Sequence, residues 1–118
     1  MIQLHNYSGL QGMQEMSESS VDLVLTDPPY GIASKNKRIL KGSKLVSTDE
    51  AWGQDFQDYW PDMDAYLQWL APFTQEMHRI LKPGASAVLF LDKLYTGHIV
   101  HQLCKSQDWV YKNKMYFF

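Results

Sequence analysis

Val21-Asp22-Leu23-Val24-Leu25-Thr26-Asp27-Pro28-Pro29-Tyr30-Gly31 is apolar at nearly every position up to Thr26, then turns abruptly polar and stiff. A continuous apolar run of this length fits a central parallel strand covered on both faces, and the paired prolines must end it, because neither can donate to a sheet ladder. The acidic turn therefore stands at a strand's carboxyl end. In open α/β sheets that is where ligands bind.

Working outward towards the C-terminus, residues 32 to about 61 show no sustained period, only Lys, Ser, Gly and Asp around isolated aromatics, which predicts a long mobile loop. Tyr66, Leu70, Phe73, Met77 and Ile80 or Leu81 then recur at three- and four-residue steps. They predict a helix that stops at Lys82-Pro83-Gly84, kinked at Pro72 or restarting there. Ser86-Ala87-Val88-Leu89-Phe90-Leu91 reads as a second buried strand. Ile99, Val100, Leu103 and Cys104 give the apolar stripe of a following helix. Trp109 to Phe118 alternates and is rich in aromatics, as a strand entering a hairpin would be, and the chain ends inside that pattern. Towards the N-terminus, Ile2-Gln3-Leu4-His5 alternates as a short strand does, and Met13 and Met16 suit a short helix before Ser19-Ser20. Strand, helix, strand, helix predicts a parallel α/β layer.

The chain has 118 residues, 45% of them apolar and 14% aromatic, enough for one packed core. Its single cysteine, Cys104, excludes an internal disulfide and a cysteine-rich zinc site, and reads as a core thiol. No apolar run approaches the roughly 20 residues that span a bilayer, and Met1-Ile2-Gln3-Leu4 lacks a basic signal-peptide head. A cytoplasmic protein without a membrane partner is expected. His5, His78, His98 and His101 show no metal-ligand spacing, so no metal is assigned. Trp69 and Trp109 suit core packing, while Trp52, in the loop, stays open between packing and base stacking.

The net charge of -2 says little about partners, but its distribution says more. Lys35, Lys37, Arg38, Lys41 and Lys44 fall together with no acid among them, followed by a strongly acidic run from Asp49 to Asp64. The five cations are candidate contacts for the phosphates of a nucleic acid, placed directly after the turn; a solvated charged loop is the equally simple alternative.

The chemistry of the turn is specific. Each proline fixes its own φ and offers a carbonyl without a competing N–H, so the Pro28 carbonyl and the Asp27 carboxylate form a rigid pair of acceptors. Two such acceptors can bind the two N–H groups of a nucleobase amine out of the ring plane, localising its lone pair. The charge that develops during displacement is then met by preorganised dipoles. Tyr30 adds a flat face on which an extruded base can stack. A four-residue turn could also be merely rigid.

These residues resemble the DNA adenine-N6 and cytosine-N4 methyltransferases, whose catalytic motif is [DNS]-P-P-[YFW]. The resemblance covers essentially the whole chain: Ser20 to Gly31 matches the strand and loop, Arg79-Ile80-Leu81-Lys82-Pro83-Gly84 the helix end before the next strand, and Tyr116-Phe117-Phe118 a later strand cut short. The early catalytic motif is similar to the permuted, beta-type order. The resemblance implies a partial Rossmann-like α/β fold, with a parallel sheet, helices on both faces, and an edge left open to association. Residues 1–118 would be the catalytic-motif half of a methyltransferase domain. It also implies Asp27, Pro28, Pro29 and Tyr30 as catalytic residues, S-adenosylmethionine as cofactor, and a flipped base of double-stranded DNA as substrate. Aspartate at the first motif position leans towards adenine and serine towards cytosine; protein-glutamine or RNA-base methylation more often goes with asparagine.

The sequence departs from the family pattern at three places. The F-x-G-x-G donor-binding motif does not occur, since the glycines stand apart at Gly9, Gly12, Gly31, Gly42, Gly53, Gly84 and Gly97. Where relatives carry Gly-Asp, the equivalent spacing from Asp27 falls on Tyr7-Ser8, leaving Ser8 and Asp27 itself as candidate cofactor contacts. Ala85 replaces a second glycine after Gly84. Weak or absent donor binding by this chain alone is expected, with a second polypeptide or a C-terminal segment supplying the glycine motif. A non-catalytic fragment that binds DNA or a partner is the alternative of another class.

Overall fold

The computed structural model describes residues 1–29, 38–41, 44–47, 60–91 and 96–115. In chain order these form α1 (Gly9–Glu15), β1 (Val21–Thr26), β2 (Arg38–Lys41), β3 (Lys44–Ser47), α2 (Met63–Ile80), β4 (Leu81–Leu89) and α3 (Thr96–Gln107). The class is α/β, and β1 and β4 pair in parallel, with Leu23, Val24, Leu25 and Thr26 opposite Ser86, Ala87, Val88 and Leu89. β1 has the bounds that its apolar run predicts.

β4 starts earlier than its apolar run, because Val21 pairs with Leu81 before the register breaks. Between Leu81 and Ser86 the chain bulges out, and Gly84 takes φ 81°, a left-handed conformation that suits glycine and strains any residue with a Cβ. The Lys82-Pro83-Gly84 segment is thus an irregular lead into the strand, and regular pairing begins at Ser86 as expected. α2 begins where the Asp62 carboxylate accepts the Ala65 N–H at 2.8 Å, an N-cap. It runs through Pro72 as one helix without a second start. Pro72 removes the hydrogen bond that the Gln68 carbonyl would accept, yet both residues lie on the exposed side, where water can serve that carbonyl.

The core lies between α2 and α3: Trp60, Tyr66, Leu70, Ile99 and Leu103 form one buried cluster, with Trp69, Leu91 and Trp109 packed against it. Leu70 and Ile99 are almost wholly enclosed, each stabilising the fold by about 1.5–3 kcal/mol relative to exposure. Gln107 joins the two helices. Its Nε2 donates to the Ala71 carbonyl at 2.9 Å, and its Oε1 lies 2.7 Å from the buried Thr74 hydroxyl and 3.2 Å from Trp109 Nε1. Trp109 and Trp69 therefore pack as expected. Cys104 is only half-buried on α3.

Four expectations are corrected. Residues 2–5 form no strand; Ile2 and Leu4 are 89% and 92% exposed, and alternation without a pairing partner does not make one. Trp109 to Met115 likewise has no regular structure, and Tyr116-Phe117-Phe118 lie outside the described residues. Cover over both faces of β1 is incomplete, since Leu23 and Leu25 are 54% and 64% exposed. Finally, the span from 32 to 61 holds an antiparallel hairpin, with Arg38 opposite Ser47 and Lys41 opposite Lys44. The sequence did carry a signal for it: Gly42-Ser43 separates two four-residue stretches, and glycine followed by serine is a two-residue hairpin turn signature.

No helix among the described residues is long and apolar enough to cross a membrane.

Candidate functional site

β1 delivers the turn. At its last residue, the Thr26 carbonyl accepts the Phe90 N–H at 3.0 Å, so the ladder with β4 continues to the strand's tip. Asp27 follows directly, exposed, while Pro28 and Pro29 are half-buried. An aspartate at this position can present its carboxylate outward from a fixed backbone. It serves neither a salt bridge nor a helix cap among the described residues.

The turn is held from the far side by α2. Tyr66, in the first turn of that helix and 3% exposed, donates its hydroxyl to the Pro29 carbonyl at 2.7 Å. The Tyr66 ring is itself fixed: Trp60 meets it edge-on at 5.0 Å between centroids, Trp69 lies 5.7 Å away, and Phe73 extends the cluster behind Trp69 at 4.9 Å. Trp60 stands two residues ahead of the N-cap Asp62 and packs on Tyr66 in the first turn of the helix. Pro29 thus has an orienting partner that the sequence reading did not identify. Its only linear signal was an aromatic at the start of a helical apolar stripe, which reads as plain core.

At the opposite end of β1, Arg79 of α2 organises the entry. Its Nη2 donates to the carbonyls of Met13 and Met16 at 2.7 and 2.9 Å, and its Nε to Glu76 Oε2 at 2.8 Å. These carbonyls belong to the end of α1, where a cation is favoured. The Ser19 and Ser20 N–H groups donate to the carbonyls of Arg79 and Ile80 at 3.0 and 2.8 Å, feeding the chain into β1. The Arg79-to-Gly84 segment is therefore a junction of α1, α2, β1 and β4.

Of the candidate cofactor contacts, Ser8 precedes α1 with its carbonyl accepting the Gly12 N–H at 3.0 Å and its side chain making no capping bond. Ser8 and Asp27 are both exposed, and no hydrogen bond joins them. Two exposed side chains without a glycine-rich turn do not make a cradle for a nucleoside sulfonium, so the described residues do not by themselves fit S-adenosylmethionine. Among the candidate DNA contacts, Arg38, Lys41 and Lys44 lie on the β2–β3 hairpin. Lys35, Lys37, Tyr30 and Trp52 lie outside the described residues.

Comparison with known proteins meets the same turn. Residues 21–118 match the family model described as DNA methylase. The type II methyltransferase M.HpaI of Haemophilus parainfluenzae is 24% identical over 92 residues, covering 78% of this chain and 24% of that protein. The chain thus spans about a quarter of the length of this relative. With the family model covering most of the sequence, from the first residue of β1 onward, the chain belongs to the DNA methylase family.

Proposed function

We propose that these residues hold the target base in an enzyme that transfers a methyl group from S-adenosylmethionine to the exocyclic N6 of a flipped adenine in double-stranded DNA. The observation that carries this reading is the exposed Asp27 carboxylate at the tip of a parallel strand, followed by two prolines whose second carbonyl is tied to α2.

An exocyclic amine is a poor nucleophile because its lone pair is delocalised into the ring. The Asp27 carboxylate and the Pro28 carbonyl each accept one of its N–H groups, drawing the nitrogen towards tetrahedral geometry and stabilising the positive charge that grows on it. Asp27 acts as a fixed acceptor and need not be a strong base. Tyr30 stacks on the extruded base, an interaction of about 1–3 kcal/mol that offsets unstacking from the duplex. S-adenosylmethionine, when bound, supplies a methyl group on a positively charged sulfur. Its grip is assigned to residues outside these 118 or to a second polypeptide, and the cations of residues 35–44 to DNA phosphates.

The reading is tested by incubating the complete polypeptide that carries this sequence with labelled donor and duplex DNA, then separating the nucleosides. N6-methyladenine is expected, and N4-methylcytosine would move the specificity to the close rival. No methylated base from a folded, donor-binding protein would refute both.

A second reading, favoured by the missing glycine motif and the bare Leu23/Leu25 face, is a non-catalytic piece that binds DNA or a partner. Calorimetry on this chain alone separates the two: micromolar donor affinity contradicts the second reading, and millimolar or no binding favours it.

A further inference from the structure

We infer that Tyr66 is a positioning residue for the acceptor pair at Asp27 and Pro28, acting through its hydroxyl and not through its bulk. The inference rests on the base-holding function proposed above. Three observations point to it. The Tyr66 hydroxyl reaches the Pro29 carbonyl at 2.7 Å although the two residues are 37 positions apart, so the bond couples separate elements and is not a local turn. The ring that carries it is 3% exposed and wedged against Trp60 and Trp69, which leaves the hydroxyl little room to wander. The helix that carries the ring has its start fixed by the Asp62 cap, only four residues earlier.

The physical consequence concerns the peptide plane. Each proline fixes its own φ and holds the residue before it in an extended ψ, so Asp27 and Pro28 are set by the prolines that follow them, and Pro29 is the one of the three whose ψ no proline restricts. A hydrogen bond to the Pro29 carbonyl removes that freedom from the second proline. With β1 pinned to β4 at Thr26 and Phe90, the turn is then clamped at both ends, and Asp27 and Pro28 are the residues between the clamps. Displacements of about 1 Å in a reacting geometry are enough to cost orders of magnitude in rate. The role inferred for Tyr66 is exerted through the Pro29 carbonyl.

The test uses the complete enzyme and compares Tyr66→Phe, Trp60→Phe, Asp27→Ala and the Tyr66→Phe/Asp27→Ala double variant, all assayed well below their melting temperatures. Tyr66→Phe keeps the packed ring and deletes only the hydroxyl. Its kcat is expected to fall at least about tenfold with KM for DNA nearly unchanged, because the acceptors are mis-set while phosphate contacts remain. Trp60→Phe, which loosens the cluster but keeps the hydroxyl, is expected to lower the melting temperature with little loss of kcat. In the double variant the hydroxyl deletion is expected to add almost nothing to the Asp27→Ala loss. Wild-type kcat in Tyr66→Phe overturns the inference. So does a kcat that simply follows melting temperature in both aromatic variants. Wild-type turnover in Asp27→Ala would instead sink the base-holding reading, so the two failures are distinguishable.

Discussion

Arg79 and Met13, 66 positions apart, are joined by a 2.7 Å hydrogen bond from guanidinium to backbone carbonyl. α1 has no buried residue of its own, so among the described residues this bond and its neighbour at Met16 are its principal polar hold on the rest of the chain. Arg79→Met is expected to destabilise the protein by about 2 kcal/mol, in the range for hydrogen bonds to charged groups and reduced by its partial exposure. Urea titration reads the loss, and hydrogen exchange should localise it to residues 9–20.

The contrast is Lys82 with Asp22. Their 2.7 Å ion pair lies in the open, with side chains 49% and 83% exposed. Asp22→Asn should therefore change stability by less than about 1 kcal/mol in the same titration, since exposed pairs gain little over their hydration.

Leu70→Ala tests the core between α2 and α3. Leu70 is fully enclosed, and truncation should cost about 3–4 kcal/mol through lost burial and the cavity left behind. Turnover measured well below the lowered melting temperature should survive, because Leu70 belongs to the buried cluster between the two helices and the Tyr66 hydroxyl that holds Pro29 is kept.

Asp27→Ala should behave in the opposite way. An exposed carboxylate without an ion-pair partner among the described residues contributes little to folding, so the melting temperature should stay within about 0.5 kcal/mol equivalent of wild type. Methyl transfer by the complete enzyme should fall at least about a hundredfold, the scale for removing one preorganised partner of a developing charge.

Neutralising Arg38, Lys41 and Lys44 to glutamine should weaken DNA binding at all sequences alike. If all three meet phosphates, the slope of log affinity against log salt should flatten by about 2–3. A slope equal to wild type would place the hairpin's charges in solvent.

Much of this arrangement was legible in the linear sequence, and the misses have physical causes. β1 was readable to the residue because an apolar run meeting two prolines has no other regular use. The helical stripe of α2 was readable as well, though its start needed the Asp62 cap to be recognised. The strand expected at 2–5, and the described part (109–115) of the one expected over 109–118, failed because alternation records a preference for pairing and cannot supply the partner. The hairpin was hidden by its brevity, four residues a side, too few to register a period. Within the site, Asp27 was marked by its neighbours in sequence. Tyr66 was not, because its importance arises from a contact across 37 residues and its local pattern is that of any core aromatic.

The parallel pairing of β1 with β4 has a kinetic side. Asp22 meets Lys82 across 60 residues, so the sheet closes a long loop, whereas α2 can form from local contacts alone. Helix formation should therefore precede sheet closure, and the corner at Asp27 becomes rigid only once the whole intervening chain has been gathered in. In a cell, this corner would be among the last parts of the molecule to mature. Any defect that delays closure would leave a protein rich in helix but still without the fixed acceptors on which the proposed chemistry depends.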